Sequence, residues 1–251
     1  MDNFNDNGFL LKKNLFRGSD LQSLKSEFDF IVSCLKNSDE DINASWGSPL
    51  TKNIDPLNTE VIHTHNVTSY SSLMLQMVQN KELLNEVENI IGQDIILHHT
   101  KLFEKPPKKG SAFPLHQDWS YFPTKENSMI AAVLHLSESN IDMGCLRIVP
   151  RSHKLGRIEG SDGHQLVDEI HKKYDLESAT PIIAKPGDVL FFHCCSIHGS
   201  MPNKSNSPRK TILLQFYSGK DKINNEITHT NAQLVLRGRN YFATRSSVDV
   251  R

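Results

Sequence analysis

The sequence predicts a mainly β fold, a double-sheet jelly roll with flanking helices, and two observations carry that prediction. The first third of the chain repeats its apolar residues at helical spacing. From Asp94 onward the apolar runs are short, β-rich and bounded by turn residues. Several of those short runs surround one set of histidine and carboxylate donors. Strands gathered in this way suggest a jelly roll of the cupin kind, with a double-stranded β-helix core. At 251 residues the chain has ample length for one domain with a full core.

The elements follow in order. Ser19 and Gln22 form a candidate capping box, and Leu21, Leu24, Phe28, Ile31 or Val32, and Leu35 repeat at helical spacing behind it. Residues 37–69 are polar and broken by Pro49 and Pro56, which reads as loop with one short strand. A helical pair comes next. Leu73, Met77 and Val78 mark the first; Leu83, Leu84, Val87, Ile90 and Ile91 mark the second, with Asn80 as its cap and Gly92 as its terminator. Strands are predicted over 95–103, 129–136, 146–149, 189–196 and 210–217. The Pro186-Gly187-Asp188 turn leads into the strand that carries His198 near its end. The expected organisation is a single domain over 1–251. It has a helical front (1–93), a jelly-roll core (94–218) and a C-terminal segment (219–251), of which the stretch after Arg239 is polar and partly ordered at most.

Composition narrows the partners. A formal net charge of −1 argues against nucleic acid or a membrane surface. No apolar run approaches the ~20 residues that span a bilayer, and the opening Met1-Asp-Asn-Phe-Asn-Asp-Asn resembles neither a secretion signal nor a transit peptide. Cys34, Cys145, Cys194 and Cys195 form no CxxC pair, and adjacent Cys194 and Cys195 on a strand would face opposite ways. A reduced, cytoplasmic setting is therefore expected. The sequence sets no oligomeric state.

The chemistry lies in Leu115-His-Gln-Asp-Trp-Ser-Tyr-Phe-Pro. On an extended strand His116 and Asp118 point to one side. With His198 they supply the two-histidine, one-carboxylate set that binds non-haem Fe(II) and leaves positions open on it. Arg209 starts the next stranded run, and a guanidinium grips a planar carboxylate through two parallel hydrogen bonds. In a ferrous oxygenase such an arginine would hold the distal carboxylate of 2-oxoglutarate. Gln117, between the two donors, must point away from them and either braces the strand or touches substrate. Trp119 and Tyr121 line the substrate entrance or pack as ordinary aromatics. Cys194 shares strand parity with His198, although core packing is the better reading. Arg147, Arg151, Lys154 and Arg157 form a basic group, read first as a solvated face and otherwise as a contact for an anionic substrate group. His63 and His65 imitate a ligand spacing but lack a third partner, and read as loop residues.

The motif just quoted resembles the phytanoyl-CoA dioxygenase family. So do Gly144-Cys-Leu-Arg-Ile-Val-Pro-Arg-Ser-His, Phe191-Phe-His-Cys-Cys-Ser-Ile-His-Gly-Ser-Met-Pro-Asn-Lys and Pro208-Arg-Lys. The opening Asn7-Gly-Phe-Leu-Leu-Lys-Lys-Asn-Leu is similar to that family's N-terminal strand, and His99-Thr-Lys-Leu-Phe-Glu-Lys-Pro-Pro fits as well. The resemblance implies an oxygenase that uses Fe(II), 2-oxoglutarate and O2. His116, Asp118 and His198 would be the ligands, Arg209 the anchor with Ser200 beside it, and Lys101 and Asn203 would lie near the cosubstrate. Lys101 shares strand parity with Leu97 and His99. Departures cluster around the substrate. Val133 stands where the enzyme that names the family has tryptophan, Ser137 replaces a glutamate, Met143 an asparagine and Arg151 a small residue. The implied activity is hydroxylation of a small molecule, since the Asp118 carboxylate occupies the place that a halide takes in related halogenases. Acyl-CoA, amino acid and phosphonate substrates all remain open. Alternatives are desaturation or cyclisation on the same scaffold, and a non-catalytic metal-binding jelly roll.

Overall fold

Two layers follow from where the apolar side chains fall. The computed structural model describes residues 2–46, 48, 50–158, 168–223 and 231–248. Helix α1 (Asp2–Asn7) and strand β1 (Phe9–Lys12) lead into α2 (Gly18–Lys36), which buries Leu24, Phe28, Ile31, Val32 and Leu35 in the spacing predicted. Its start differs from prediction. Arg17, extended at φ −153 and ψ 170, is the N-cap, and no side chain caps the helix. Ser19 therefore falls inside the first turn, away from the capping position, and no capping box forms. Strand β2 (Ile62–His65) is the short strand expected within 37–69. Helices α3 (Ser72–Val78) and α4 (Lys81–Ile91) form the predicted pair. Asn80 Oδ1 accepts from the Leu83 amide at 3.0 Å, and Gly92 ends the helix at φ +89.

The stranded part comprises β3 (Ile95–Lys105), β4 (Phe113–His116), β5 (Ile130–His135) and β6 (Leu146–Ile148). Then come helix α5 (Asp168–Lys173), β7 (Thr180–Pro181), β8 (Val189–His193), β9 (His198–Ser200), β10 (Arg209–Ser218), β11 (Leu234–Arg237) and helix α6 (Arg245–Val248). Seven strands form the large sheet in the order β1-β8-β5-β10-β3-β11, with β2 also paired to β3. Four form the small sheet, β4-β9-β6-β7. Helices α2, α3 and α4 cover the outer face of the large sheet through Ile130, Ala132, Leu134, Phe191, Ile212 and Leu214. Its inner face packs Ala131, Val133, Leu190 and Phe192 against Ile148 and Ile182 of the other layer. Central strands covered on both faces lose the alternation of a half-exposed strand, which is why β5 is buried from end to end.

Two sequence expectations fail on strand geometry. The run 189–196 is not one strand carrying His198 near its end. β8 stops at His193, the chain turns with the Ser196 amide on the His193 carbonyl at 2.8 Å, and His198 opens β9 in the other sheet. Cys194 consequently shares no parity with His198; it packs with Ile96, Phe122, Met129 and Tyr217. The same turn brings both thiols to one side, 3.9 Å apart, although the cysteines are free. In β3 the pairing with β10 jumps from Gln215–His99 to Phe216–Leu97, leaving His98 as an extra residue. Parity reverses across that bulge. Leu97 faces the helices and Lys101 the opposite side. Of the polar stretch after Arg239, Arg245–Val248 form α6, and 249–251 lie outside the described residues.

Candidate active site

β4 and β9 pair with His116 opposite His198, which sets the two imidazoles side by side with ring centroids 4.1 Å apart. Each ring is aimed by its own backbone. His116 Nδ1 lies 2.9 Å from the Pro114 carbonyl, and His198 Nδ1 lies 2.9 Å from the Ser196 carbonyl. A carbonyl only accepts, so each Nδ1 carries the proton and each Nε2 presents a lone pair to the site. Gln117 is extended, and Asp118 follows in a short 3-10 turn. Asp118 Oδ1 is 3.7 Å from His116 Nε2 and 3.5 Å from His198 Nε2. All three residues are buried, with their donor atoms within 4.8 Å of one another. Two neutral imidazole nitrogens and one carboxylate oxygen, grouped this closely, fit a divalent non-haem iron and leave coordination positions unfilled by protein. Gln215 Nε2 donates to Asp118 Oδ2 at 2.8 Å and leaves Oδ1 for the metal.

These donors lie on a cavity of about 250 Å³ whose other walls include Trp46, Phe103, Phe113, Tyr121, Val133, Phe192, Leu213 and Arg209. Arg209 starts β10, fully buried; burial lowers its guanidinium to about 10. Its Nη1 donates to the Gly144 carbonyl. Gly144 sits at φ +65, and a Cβ there would lie 2.1 Å from the Met201 carbonyl oxygen, so this close backbone approach requires glycine. Lys105 is paired directly across the ladder from Arg209. Its Nζ donates to Ser200 Oγ at 2.6 Å and to the Met201 carbonyl at 2.9 Å. Burial, followed by the Arg209 charge, holds this lysine well below the ordinary lysine range. Lys101, also on the cavity, lies 5.8 Å from the Tyr121 ring centroid and 5.5 Å from that of Phe122. Burial lowers it to about 8, partly offset by Asp118. His65 is lowered to about 4 by burial and then by Lys101.

Of the residues singled out in the sequence, His116, Asp118, His198, Arg209, Lys101 and Tyr121 come together on this cavity. Ser200 stands behind it, against Lys105. Asn203 does not line it. Its amide nitrogen donates to the Lys105 and Ser207 carbonyls, and its oxygen accepts from Ser205, so it secures a loop. Gln117 is a brace. Its nitrogen donates to the Cys195 carbonyl at 2.6 Å and that of Gly156 at 3.0 Å; its oxygen accepts from Trp119 Nε1 and the Ile158 amide. Trp119 is thereby turned to Gln117, with Arg157 5.3 Å over its ring. Arg151 is exposed at φ +66 and off the cavity. Arg147 binds the Glu177 and Ala179 carbonyls, so the basic group does not converge on an anion site.

Sequence reasoning missed five contributors. His63 and His65 were assigned to a loop, yet β2 places them on the cavity, where His63 stacks on Phe103 at 4.9 Å. Trp46 meets His116 edge-on at 4.7 Å, from a loop that carries no pattern. Gln215 had a readable signal, a polar residue within the apolar run of β10, whereas Lys105 ends β3 beyond the run the sequence predicts as strand.

Comparison with known proteins agrees with this arrangement. The family profile described as Phytanoyl-CoA dioxygenase (PhyH) matches residues 4–211. The peroxisomal phytanoyl-CoA dioxygenase of Homo sapiens is 32% identical over 238 residues, covering 86% of this chain and 66% of that protein. Its Bos taurus counterpart is 31% identical over 230 residues, covering 85% and 66%. The chain thus spans just under two thirds of the length of these relatives. A crystal structure of a non-haem α-ketoglutarate-dependent carbocyclase from nogalamycin biosynthesis superposes with a TM-score of 0.74 at 16% identity, covering 90% of this chain and 86% of that one, and shows the same cupin-like fold. With that profile running through the helices, the donor strands and Arg209, the chain belongs to the phytanoyl-CoA dioxygenase family.

Proposed function

We propose that the protein is an Fe(II)- and 2-oxoglutarate-dependent dioxygenase that hydroxylates an aliphatic C–H bond of a small molecule. The supporting observation is the pairing on one cavity of the His116–Asp118–His198 set with the buried guanidinium of Arg209. A module that merely stored a metal would have no use for a buried carboxylate grip beside it. Iron with 2-oxoglutarate supplies the oxidation, in which O2 is consumed, succinate and CO2 are released, and a substrate C–H becomes C–OH. The chain's own residues do the rest. The two Nε2 atoms and Asp118 Oδ1 hold the metal on one side, and Gln215 keeps the carboxylate from rotating. Arg209 orients the cosubstrate by its far carboxylate. The carboxylate of Asp118 would occupy the ligand position that a halide would otherwise need, which favours hydroxylation over halogenation.

The cavity volume, about 250 Å³, is below the ~300–1,000 Å³ usual for drug-sized ligands. Its substrate is accordingly a small compound, or one end of a longer one, whose apolar carbon meets Phe113, Phe192, Val133 and Leu213. Val133 is small and leaves room next to the metal donors. Among the described residues no helix is long and apolar enough to cross a membrane. The four free cysteines suit a reducing compartment, and we assign the protein to the cytoplasm.

The test is direct. The anaerobic Fe(II) protein should develop a weak visible charge-transfer band when 2-oxoglutarate is added, and succinate should form once oxygen is admitted. Neither band nor succinate would reject the enzyme reading.

A further inference from the structure

Arg209 is not the only cation at its end of the cavity. The β3–β10 register puts Lys105 opposite it. Lys105 is fully buried, yet its hydrogen bonds go to a hydroxyl and a carbonyl, those of Ser200 and Met201. Neither acceptor carries a charge. Two cations buried side by side repel each other, and each has lost its hydration. Such an arrangement is costly unless an anion completes it. The Arg209 Nε is also buried without a hydrogen-bond partner. The one carboxylate that acts on Lys105, Asp55, is engaged by the Ser111 hydroxyl and the Ala112 amide and offsets the burial and the Arg209 charge only in part. Gly199 and Ser200 of β9 and the Gly144 carbonyl all approach with neutral groups. Phe113 covers the ammonium from the cavity side, 5.0 Å from its ring centroid.

Lys105 also directs Ser200. Nζ donates to Ser200 Oγ at 2.6 Å, so that oxygen is the acceptor. The hydroxyl proton of Ser200 must then point elsewhere. Ser200 follows Gly199, which lines the cavity, and donating that proton toward a bound carboxylate satisfies both groups.

We infer that Lys105 is a positioning residue of the cosubstrate site, which makes its far end specific for a second carboxylate by adding a buried positive charge beside Arg209 and by orienting the Ser200 hydroxyl. This rests on the proposed dioxygenase reading and adds a selectivity determinant to it. The arginine binds a carboxylate; the lysine makes an uncharged tail unwelcome, because an uncharged tail leaves two buried cations offset only in part by Asp55.

The experiment compares 2-oxoglutarate with 2-oxopentanoate, the same 2-oxo acid with a methyl group in place of the far carboxylate. Both are titrated anaerobically into the Fe(II) protein, and the charge-transfer band reports binding without turnover. The unaltered protein should prefer 2-oxoglutarate strongly. Lys105→Met should reduce that preference by roughly ten- to a hundredfold, mostly by weakening 2-oxoglutarate, with 2-oxopentanoate little changed. Ser200→Ala retains the lysine and should reduce the preference less, which keeps the inference testable if Lys105→Met fails to fold. An unchanged preference in the variants that fold would overturn it. So would an equal loss of both ligands, which marks a purely structural role. A charge-transfer band absent from the unaltered protein rejects the dioxygenase reading itself, a different failure from a band that persists with unaltered selectivity.

Discussion

The metal set is three side chains, but its geometry depends on what each is hydrogen-bonded to. His116 and His198 are oriented by backbone carbonyls that side-chain mutation does not remove. Asp118 is different, because its orientation relies on one side chain, Gln215. Removing an outer partner of a metal ligand typically weakens metal binding about 10–100-fold. Gln215→Leu should therefore weaken Fe(II) binding by that order while leaving the fold intact, as measured by metal titration and circular dichroism. Unchanged iron affinity would show that Asp118 holds its orientation without the glutamine. Lys101 illustrates another residue-scale effect. Its pKa falls because burial penalises the ammonium, and the Asp118 charge only partly restores it.

At the scale of elements, the decisive feature is the turn that moves the chain from β8 in the large sheet to β9 in the small one. Its groups are satisfied by distant partners. The Ile197 amide donates to Ser152 Oγ at 2.8 Å, Ser196 Oγ donates to the Gly8 carbonyl at 2.9 Å, and the Cys195 carbonyl receives Gln117. Ser152 is buried, so Ser152→Ala leaves the Ile197 amide without its acceptor next to His198. A loss of about 1–3 kcal/mol is expected in chemical denaturation, with weaker iron binding as the turn loosens. A variant as stable as the parent would mean that the turn finds another acceptor. The turn before β8 is stiffer. Gly187 lies at φ +90 with a Cβ position 2.0 Å from the Phe16 carbonyl oxygen, and Asp188 accepts from the Asn14 and Lys185 amides.

At the scale of the whole molecule, the proposed metal donors sit on β4 and β9 of the four-stranded sheet and on the 3-10 turn after β4, whereas most of the core lies between the seven-stranded sheet and its helices. The fold therefore does not depend on the ion. Protein stripped by a chelator should retain its circular dichroism spectrum and unfold cooperatively. Fe(II) added at a hundredfold over its Kd should then contribute about 2.7 kcal/mol and raise the Tm. Loss of secondary structure on chelation would overturn this view and make the metal a structural one.

The helices α2, α3 and α4 and the strands β3, β5 and β10 were legible in the sequence because each carries an apolar run long enough to mark its element. The metal donors and Arg209 were legible because so few residue types bind iron or grip a carboxylate. The sequence by itself thus determined the fold class and the family, and pointed to the donor set and the anchor that we propose. Tertiary structure decided the rest. Whether His98 bulges out, whether β8 ends at His193, and which strand lies opposite Arg209 are matters of pairing between distant segments, and local composition carries no record of a partner's register. The roles of His65, Gln215 and Lys105 emerged only there, because each depends on a neighbour that is close in space and far along the chain.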